Sequence, residues 1–236
     1  DDFSTGSKEN VQELIFNENV TLVEGSVIDI KLLKNSFKDV DYVFHNAEVS
    51  SIVRSIRDPI PTNTVNSEGT LNVLIASVAS GVEKMIYSST SAVYGNSDPL
   101  PKLEKMFPQP ISPYAVSKLA GEYYCRVFYK LYRFPTTILR HFNVYGPGQS
   151  SNFDYTPVIP EFIRKILKNE PPVIHGNGEQ TRDFIFIDDA IKATILAAES
   201  KKTDGEILNI ASNSRISIKG LGELIMNLLG REMDFK

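Results

Sequence analysis

The chain has 236 residues, of which 42% are hydrophobic and 23% charged, and its formal net charge is −4 at pH 7. This length and balance are typical of a globular protein with one large domain, or one and a half, and allow a sizeable core. The charge and the lack of a dense Lys/Arg run argue against nucleic-acid binding, the single Cys125 excludes an internal disulfide or a multi-cysteine metal site, and no apolar run could span a bilayer. We therefore expect a cytoplasmic protein with no metal site and neither nucleic acid nor membrane as a partner.

The apolar pattern alternates between short strand-like runs and longer helix-like ones. In chain order we predict a strand at 20–25, a helix at 29–38, a strand at 40–47, a helix at 63–80, a strand at 83–89, a helix at 113–133, a strand at 134–142, helices at 157–169 and 187–200, a strand at 205–212 and a helix at 217–229. This alternation is typical of an α/β fold with a doubly wound parallel sheet. The loops at 94–112 and 143–156 follow predicted strands, where such sheets bind ligands.

Two neighbouring segments carry candidate chemistry. The run SPYAVSKLAGEYY, residues 112–124, places Tyr114 and Lys118 four residues apart and so on one helix face. The run YSSTSAVYG, residues 87–95, places Ser88, Ser89 and Thr90 together at the end of a strand, where buried hydroxyls need partners. Each has an ordinary alternative, since the first could be a plain amphipathic helix and the second a Ser-rich turn.

Taken together, these segments resemble the short-chain dehydrogenase/reductase superfamily. The segments SPYAVSKLAGEYYC, RHFNVYGPGQ (140–149), GNGEQTRDFIFIDDA (176–190) and HNAEVSSIVRSIRDPIPTNTVNSEGTLNVL (45–74) resemble its extended branch, specifically the UDP-sugar 4-epimerases. The resemblance covers essentially the whole chain. It implies a Rossmann-like NAD-binding domain at 1–142 and a mainly substrate-binding region at 143–236, part of a smaller sugar-nucleotide-binding domain, with 183–212 returning to the main sheet.

The resemblance also implies roles for single residues. Tyr114 would take a proton from a sugar hydroxyl while hydride leaves the same carbon for NAD, Lys118 would lower the Tyr114 pKa, and Thr90 would hold the reacting hydroxyl. A phenol acting near neutral pH needs a pKa lowered by roughly three units, or about 4 kcal/mol, which an ammonium and the positive nicotinamide ring can supply. The implied cofactor-binding residues are Asp1, Ala47, Asn66, Ser88, Tyr114 and Lys118. The implied substrate-binding residues are Ser51, Thr90, Asn143, Val173, His175 and Arg182.

The family further implies a homodimer built from the helices at 63–80 and 113–133. The second helix has an apolar stripe on a face other than that of Tyr114 and Lys118, formed by Val116, Ala120, Tyr123, Tyr124, Val127 and Leu131. Something must bury such a stripe. The alternative is that it packs on the sheet of its own chain.

The chain departs from the family pattern in several places. It begins at DDFSTG, which resembles the family's stretch after the second strand, so that a βα unit with the Gly-rich turn is missing. We expect a fragment truncated at both ends that, expressed alone, is poorly soluble or partly unfolded and lacks both NAD and activity. Ser26 stands where the family usually has Asp, Asn46 and Glu48 replace apolar residues beside the cofactor, and His141 replaces a Tyr.

The residues after Thr90 bear on the reaction. Related 4,6-dehydratases typically have an Asp-Glu pair there and UDP-glucuronate decarboxylases a Glu, whereas this chain has Ser91 and Ala92, which cannot act as acids or bases. We therefore favour epimerisation at C4 of a UDP-hexose through a transient 4-keto intermediate. The alternatives are another NAD-dependent sugar-nucleotide dehydratase or reductase, and a non-catalytic dinucleotide-binding pseudoenzyme.

Overall fold

The computed structural model describes residues 1–4, 6–96, 98–149 and 156–236. Residues 150–155 of the predicted loop at 143–156 therefore lie outside the described residues. The chain divides into two compact units, the first formed by Asp1–His141 with Ile191–Asn209 and the second by Phe142–Ala190 with Ile210–Lys236. Within the described ranges, none of the helices has the length and apolar character needed to cross a membrane.

The helices and strands follow one another in an alternating order. They are α1 (Ile30–Ser36), β1 (Tyr42–His45), α2 (Ile52–Arg57), α3 (Pro59–Asn63), α4 (Gly69–Ser80), β2 (Lys84–Thr90), α5 (Pro113–Tyr132), β3 (Thr136–His141), β4 (Asn143–Tyr145), α6 (Val158–Leu167), β5 (Thr181–Arg182), β6 (Phe184–Phe186), α7 (Ile187–Glu199), β7 (Ile207–Ile210), β8 (Ile216–Ser217) and α8 (Ile218–Leu228). A π-helical turn, Thr64–Glu68, joins α3 to α4, so the predicted helix at 63–80 forms with an irregular first part. The acidic pair Asp188–Asp189 lies in the first turn of α7, where it complements the helix dipole.

The main sheet has the strand order β1–β2–β3–β7. Strand β2 runs parallel to both β1 and β3, and its residues Met85, Ile86 and Tyr87 are at most 1% exposed. A strand covered on both faces reads as a near-continuous apolar run, which is the pattern from which this strand was predicted. The predicted α/β class with a parallel, Rossmann-like sheet is confirmed.

The predicted strand at 20–25 is wrong. The structure has no strand there, and Val20, Leu22 and Val23 are each 39% exposed. The backbone of this segment bonds instead to Asp1, whose amino group donates to the Val23 carbonyl at 3.2 Å and whose carbonyl accepts from the Gly25 N–H at 3.0 Å. A strand needs a continuous ladder with a neighbour, and no described strand pairs with this segment.

Helix α5 is placed closely against β2. The Ser112 hydroxyl caps its start by accepting from the Ala115 N–H at 3.1 Å, and Pro113 occupies the first turn. Gly121 allows the close approach, because a Cβ there would lie 2.2 Å from the Tyr87 hydroxyl. That hydroxyl donates to the Lys118 carbonyl at 3.2 Å, which fixes the turn of α5 that carries Lys118.

A buried ion pair ties β3 to α5. Arg140 Nη2 lies 2.6 Å from Glu122 Oε2, Arg140 Nε donates to Glu122 Oε1 at 2.9 Å, and both side chains are 2% exposed. Ser89 donates to the same carboxylate, and the guanidinium lies over the ring of Tyr94. This hydrogen-bonded network of Ser89, Glu122 and Arg140 therefore holds together the ends of β2 and β3. Thr90 is the last residue of β2.

We expect the variant Glu122→Ala to lower the free energy of unfolding by about 3–5 kcal/mol, because it leaves the Arg140 guanidinium buried and uncompensated. Chemical denaturation measures this. The control is Glu24→Ala, which removes the exposed Lys8–Glu24 pair, whose side chains are 61% and 60% exposed, and should cost no more than about 1 kcal/mol. Equal losses in the two variants would contradict the assigned role of the buried pair.

The second unit has its own small core. Strands β4 and β6 pair in parallel, β5 and β8 pair antiparallel, and α6 packs with α8 around Phe162 and Ile166. The Asp183 carboxylate accepts from the backbone N–H groups of Ser212 and Ser214 at 2.8 and 3.2 Å, which joins the segment after β7 to the start of β6.

Candidate active site

The candidate active site lies at the carboxyl ends of β1 and β2, where α5 begins. Thr90 is the last residue of β2, and Tyr114 and Lys118 lie in the first two turns of α5. Tyr114 is 7% exposed and Lys118 2%, so neither is an ordinary surface residue of an amphipathic helix. The structure thus brings the predicted hydroxyl and the predicted Tyr–Lys pair to one place.

A fourth residue joins this group. Glu48, which follows β1, places Oε2 2.7 Å from Lys118 Nζ, and both of its carboxylate oxygens accept from the Tyr114 hydroxyl at 3.3 Å. Lys118 Nζ also lies 4.7 Å from the centroid of the Tyr87 ring. The predicted pair is therefore bridged by a carboxylate that the sequence interpretation left unexplained.

The electrostatics of Tyr114 follow from this environment. Burial raises the pKa of Tyr114 well above its ordinary value, and the negative charge of Glu48 raises it further. The Lys118 ammonium and a hydrogen bond with Thr90 act in the opposite direction and lower that pKa. Lys118 thus has the expected effect on Tyr114, but burial and Glu48 outweigh it, and Tyr114 is a neutral phenol at pH 7.

Two of the departures from the family pattern contact each other through a predicted cofactor residue. Ser88 donates to the Asn46 side chain at 2.5 Å and lies 3.4 Å from His141 Nε2. Burial and the charge of Lys118 lower the pKa of His141 to about 4 against a smaller raising effect of Glu48, so that the imidazole is neutral near pH 7. Asn46, Ser88 and His141 therefore form a neutral polar row beside the Tyr114 group. The third departure, Ser26, hydrogen bonds to Asp2.

The other predicted cofactor-binding residues have different surroundings. Ala47 is half-buried directly after β1. Asn66 is 1% exposed, and its amide accepts from the Val49 N–H at 2.8 Å and donates to the Val49 carbonyl and to Ser117 Oγ, so it ties the segment after β1 to α5. Asp1 is exposed, and its carboxylate accepts from the Phe3 N–H at 2.7 Å.

The predicted substrate-binding residues lie in both units. In the first unit, the Ser51 hydroxyl caps α2 by accepting from the Arg54 N–H at 3.1 Å. In the second unit, Asn143 donates to the Asp183 carbonyl at 2.7 Å, Arg182 is exposed and donates to the Thr181 carbonyl, Val173 is half-buried and His175 is exposed. Their contact with a substrate stays a prediction.

Comparison with known proteins identifies the family. The model of the NAD dependent epimerase/dehydratase family matches residues 2–211. The chain belongs to this family. The predicted relationship to the extended short-chain dehydrogenases and the predicted NAD cofactor are confirmed.

Several well-matched members of the family act on nucleotide sugars. The solved UDP-N-acetylglucosamine 4-epimerase from Methanobrevibacter ruminantium is 39% identical, with a TM-score of 0.95 over 100% of this chain and 75% of that chain. The UDP-glucose 4-epimerase from Thermotoga maritima, solved with UDP-glucose, is 33% identical, with a TM-score of 0.92 over 100% and 75%. A UDP-N-acetyl-alpha-D-glucosaminuronate decarboxylase from Bacillus cytotoxicus is 34% identical over 233 residues, 97% of this chain and 71% of the relative.

The residues of the site fit the nicotinamide half of the family's cofactor. A lysine ammonium carries three donors, and the described contacts of Lys118 Nζ are one carboxylate oxygen and the face of Tyr87, so that donors remain for ribose hydroxyls. Ala47, with its small side chain, and the Ser88 hydroxyl lie at the ends of adjacent strands β1 and β2. Members of this family place the dinucleotide along such an edge.

Proposed function

We propose that the protein catalyses the NAD-dependent epimerisation of a UDP-hexose at C4 through a transient 4-keto sugar. The observation that supports it most is that Thr90 meets the buried Tyr114 and Lys118, while Ser91 and Ala92, rather than carboxylates, follow Thr90 in the sequence. The sibling dehydratases and decarboxylases typically carry their acid–base carboxylates at the positions of Ser91 and Ala92, whereas epimerisation needs only one proton transfer and its reversal at the same oxygen. The site therefore favours the epimerase over its sibling reactions.

In this reaction Thr90 orients the C4 hydroxyl by hydrogen bonding, and Tyr114 holds or releases the proton of that hydroxyl. Lys118 binds the nicotinamide ribose and lowers the pKa of Tyr114. NAD, when bound, accepts the C4 hydride and returns it. Exclusion of water from the buried Tyr114 and Lys118 strengthens each of these interactions.

For the UDP part of the substrate we propose the second unit. Arg182 is exposed, and a planar, permanently charged guanidinium matches the oxygens of a diphosphate. The Asn143 side-chain amide donates to the Asp183 carbonyl of the same unit. This bond holds the amide in place for a hydrogen bond to the sugar nucleotide. Val173 and His175 are the proposed contacts to uracil.

The test is incubation of the full-length protein with UDP-glucose, UDP-N-acetylglucosamine and UDP-glucuronate, with chromatographic separation of the C4 epimers. Formation of an epimer from at least one of them supports the proposal. A 4-keto-6-deoxy product or a decarboxylated product would instead assign a sibling reaction. Bound NAD without conversion of any of the three would favour a non-catalytic, dinucleotide-binding protein.

We also propose that the protein is a homodimer that pairs α4 and α5 across a two-fold axis. Four of the six residues of the predicted stripe are exposed, with Val116 at 52%, Tyr123 at 48%, Val127 at 44% and Leu131 at 74%. The stripe is therefore not buried on the sheet of its own chain, although Tyr124 packs against the core. An apolar helix face left in water is typical of an interface.

The variant Leu131→Glu should therefore shift the protein from dimer to monomer, because it places a charge in the interface. Light scattering at several concentrations measures the mass. Leu228→Glu is the matched control, since Leu228 is 75% exposed on α8 of the second unit and outside the stripe. A monomeric wild-type protein, or equal dissociation of both variants, would contradict the assigned interface.

A further inference from the structure

The contact of Glu48 with Tyr114 and Lys118 has no part in the reaction as described above. Its carboxylate lies 2.7 Å from Lys118 Nζ and accepts the Tyr114 hydroxyl at 3.3 Å through either oxygen. The Glu48 side chain is 24% exposed, whereas that of Lys118 is 2% exposed and Tyr114 as a residue is 7% exposed. Glu48 is thus the member of the group that connects the buried pair with solvent.

With Glu48 in contact, Tyr114 can pass on a proton without itself becoming a phenolate. Burial and Glu48 both raise the pKa of Tyr114, so a free phenolate is a costly species near neutral pH. The Glu48 carboxylate, in contrast, is paired with an ammonium, since Lys118 Nζ lies 2.7 Å from its Oε2. A base is therefore present behind the tyrosine without ionisation of the phenol.

We propose, resting on the epimerase function proposed above, that Glu48 is the terminal proton acceptor of the site and that Tyr114 works as a neutral relay. The proton of the C4 hydroxyl moves to Tyr114 Oη as the O–H bond of Tyr114 breaks and its proton moves to the Glu48 carboxylate. The electron pair of the C4–H bond leaves as hydride to the oxidised nicotinamide of NAD, and the C4–O bond becomes a carbonyl. The reverse transfers return hydride to the opposite face of C4 and the proton to the C4 oxygen.

The other groups around Glu48 do not compete for this proton. The titratable side chains that interact with it are Tyr114 and Lys118 on α5, Tyr87 on β2 and His141 on β3. Burial raises the pKa of Tyr87, and burial together with the Lys118 charge lowers that of His141 to about 4, so both are neutral near pH 7. Lys118 is the charged neighbour, and it orients the carboxylate toward Tyr114.

The test compares Glu48→Gln and Glu48→Asp with wild type in the full-length protein, loaded with NAD. The single-turnover rate of reduction of the bound NAD by the UDP-hexose that wild type converts is measured across pH. Glu48→Gln should be slower by about 10²-fold, the size expected for loss of an acid–base group, with little change in KM. The acidic limb of its profile should move to higher pH, because a phenol is a weaker acid than a carboxylic acid by about six pK units in water.

Glu48→Asp keeps the carboxylate and should therefore be faster than Glu48→Gln but slower than wild type. If thermal unfolding shows that Glu48→Gln does not fold, Glu48→Asp serves as the test variant. The control Glu83→Gln removes an exposed carboxylate just before β2 and should behave as wild type.

In mixtures of light and heavy water, wild type should show a curved dependence of rate on the heavy-water fraction, since two protons move. Glu48→Gln should show a straight line.

A second readout does not depend on turnover. In cofactor-free protein with isotope-labelled tyrosine, NMR titration should show that Tyr114 ionises at lower pH in Glu48→Gln than in wild type, because the raising effect of the Glu48 charge is gone. An unchanged Tyr114 titration would overturn the proposal. An NAD-reduction rate in Glu48→Gln equal to or higher than that of wild type would also overturn it, and so would an acidic limb of its pH profile at lower pH than in wild type. If these results accompany normal wild-type turnover, the relay alone is wrong. A wild-type protein that converts no UDP-hexose contradicts the proposed function, and the relay falls with it.

Discussion

The variant Tyr114→Phe is expected to lower kcat for epimerisation by about 10²-fold or more while the protein keeps its bound NAD. Phe fills the same volume but carries no hydroxyl, so that neither direct abstraction by Tyr114 nor transfer through it to Glu48 can occur. The Tyr114 hydroxyl lies 3.3 Å from Glu48 and hydrogen bonds to Thr90, so its loss removes the group that links Glu48 to the substrate.

Measurement of kcat and of released NAD after denaturation separates chemistry from cofactor binding. Tyr132→Phe is the matched control, because Tyr132 lies on the same helix and is 59% exposed. It should leave kcat unchanged. A Tyr114→Phe protein with wild-type kcat would remove Tyr114 from the reaction.

The second large effect is expected for Lys118→Met, which should also reduce turnover by about 10²-fold and move the acidic limb of the pH profile upward. The Lys118 ammonium lowers the Tyr114 pKa, and without it only the hydrogen bond with Thr90 opposes the raising effects of burial and Glu48. The variant also leaves the Glu48 carboxylate without its ion partner. Affinity for NAD should fall, since the ribose loses a donor.

Lys84→Met is the informative comparison, because the described part of the chain contains two buried lysines with different partners. Lys84 Nζ donates to the Ala197 and Ser200 carbonyls at 2.8 Å each and pairs with Asp204 at 2.7 Å, so it holds the segment after α7 to β2. Its loss should lower the free energy of unfolding by about 3 kcal/mol or more, with kcat of the folded fraction unchanged. The roles assigned to the two lysines would be wrong if Lys118→Met affected stability alone and Lys84→Met affected kcat of the folded protein.

The sheet and its long helices could be predicted because their signals are local. Strand β2 has a continuous apolar run, and α5 has a cap, a proline in its first turn and an apolar period, so each element is specified by its own residues. The segment 20–25 has a similar apolar run, but its conformation depends on a pairing partner that no local pattern contains. The short strands β4, β5, β6 and β8 have two or three residues each, too few for a periodicity.

The candidate site, like the fold, could be predicted only in part from the sequence. Thr90, Tyr114 and Lys118 were found from spacing and resemblance, and the structure brings them together. The role of Glu48 could not be found in this way, since its contacts join residues far apart in the sequence, 48 with 114 and 118. Its one sequence signal was a charged residue directly after the predicted strand at 40–47, at a position where the family pattern has an apolar one.

The central claim, a 4-keto intermediate formed and consumed at one site, is tested most directly with a UDP-hexose that carries deuterium at C4. The account predicts that the C4 epimer retains the deuterium at C4 when the reaction runs in ordinary water, because the same hydride leaves and returns. It also predicts transient absorbance of reduced NAD during a single turnover. Loss of the C4 deuterium to solvent, or epimer formation without any reduced NAD, would contradict it.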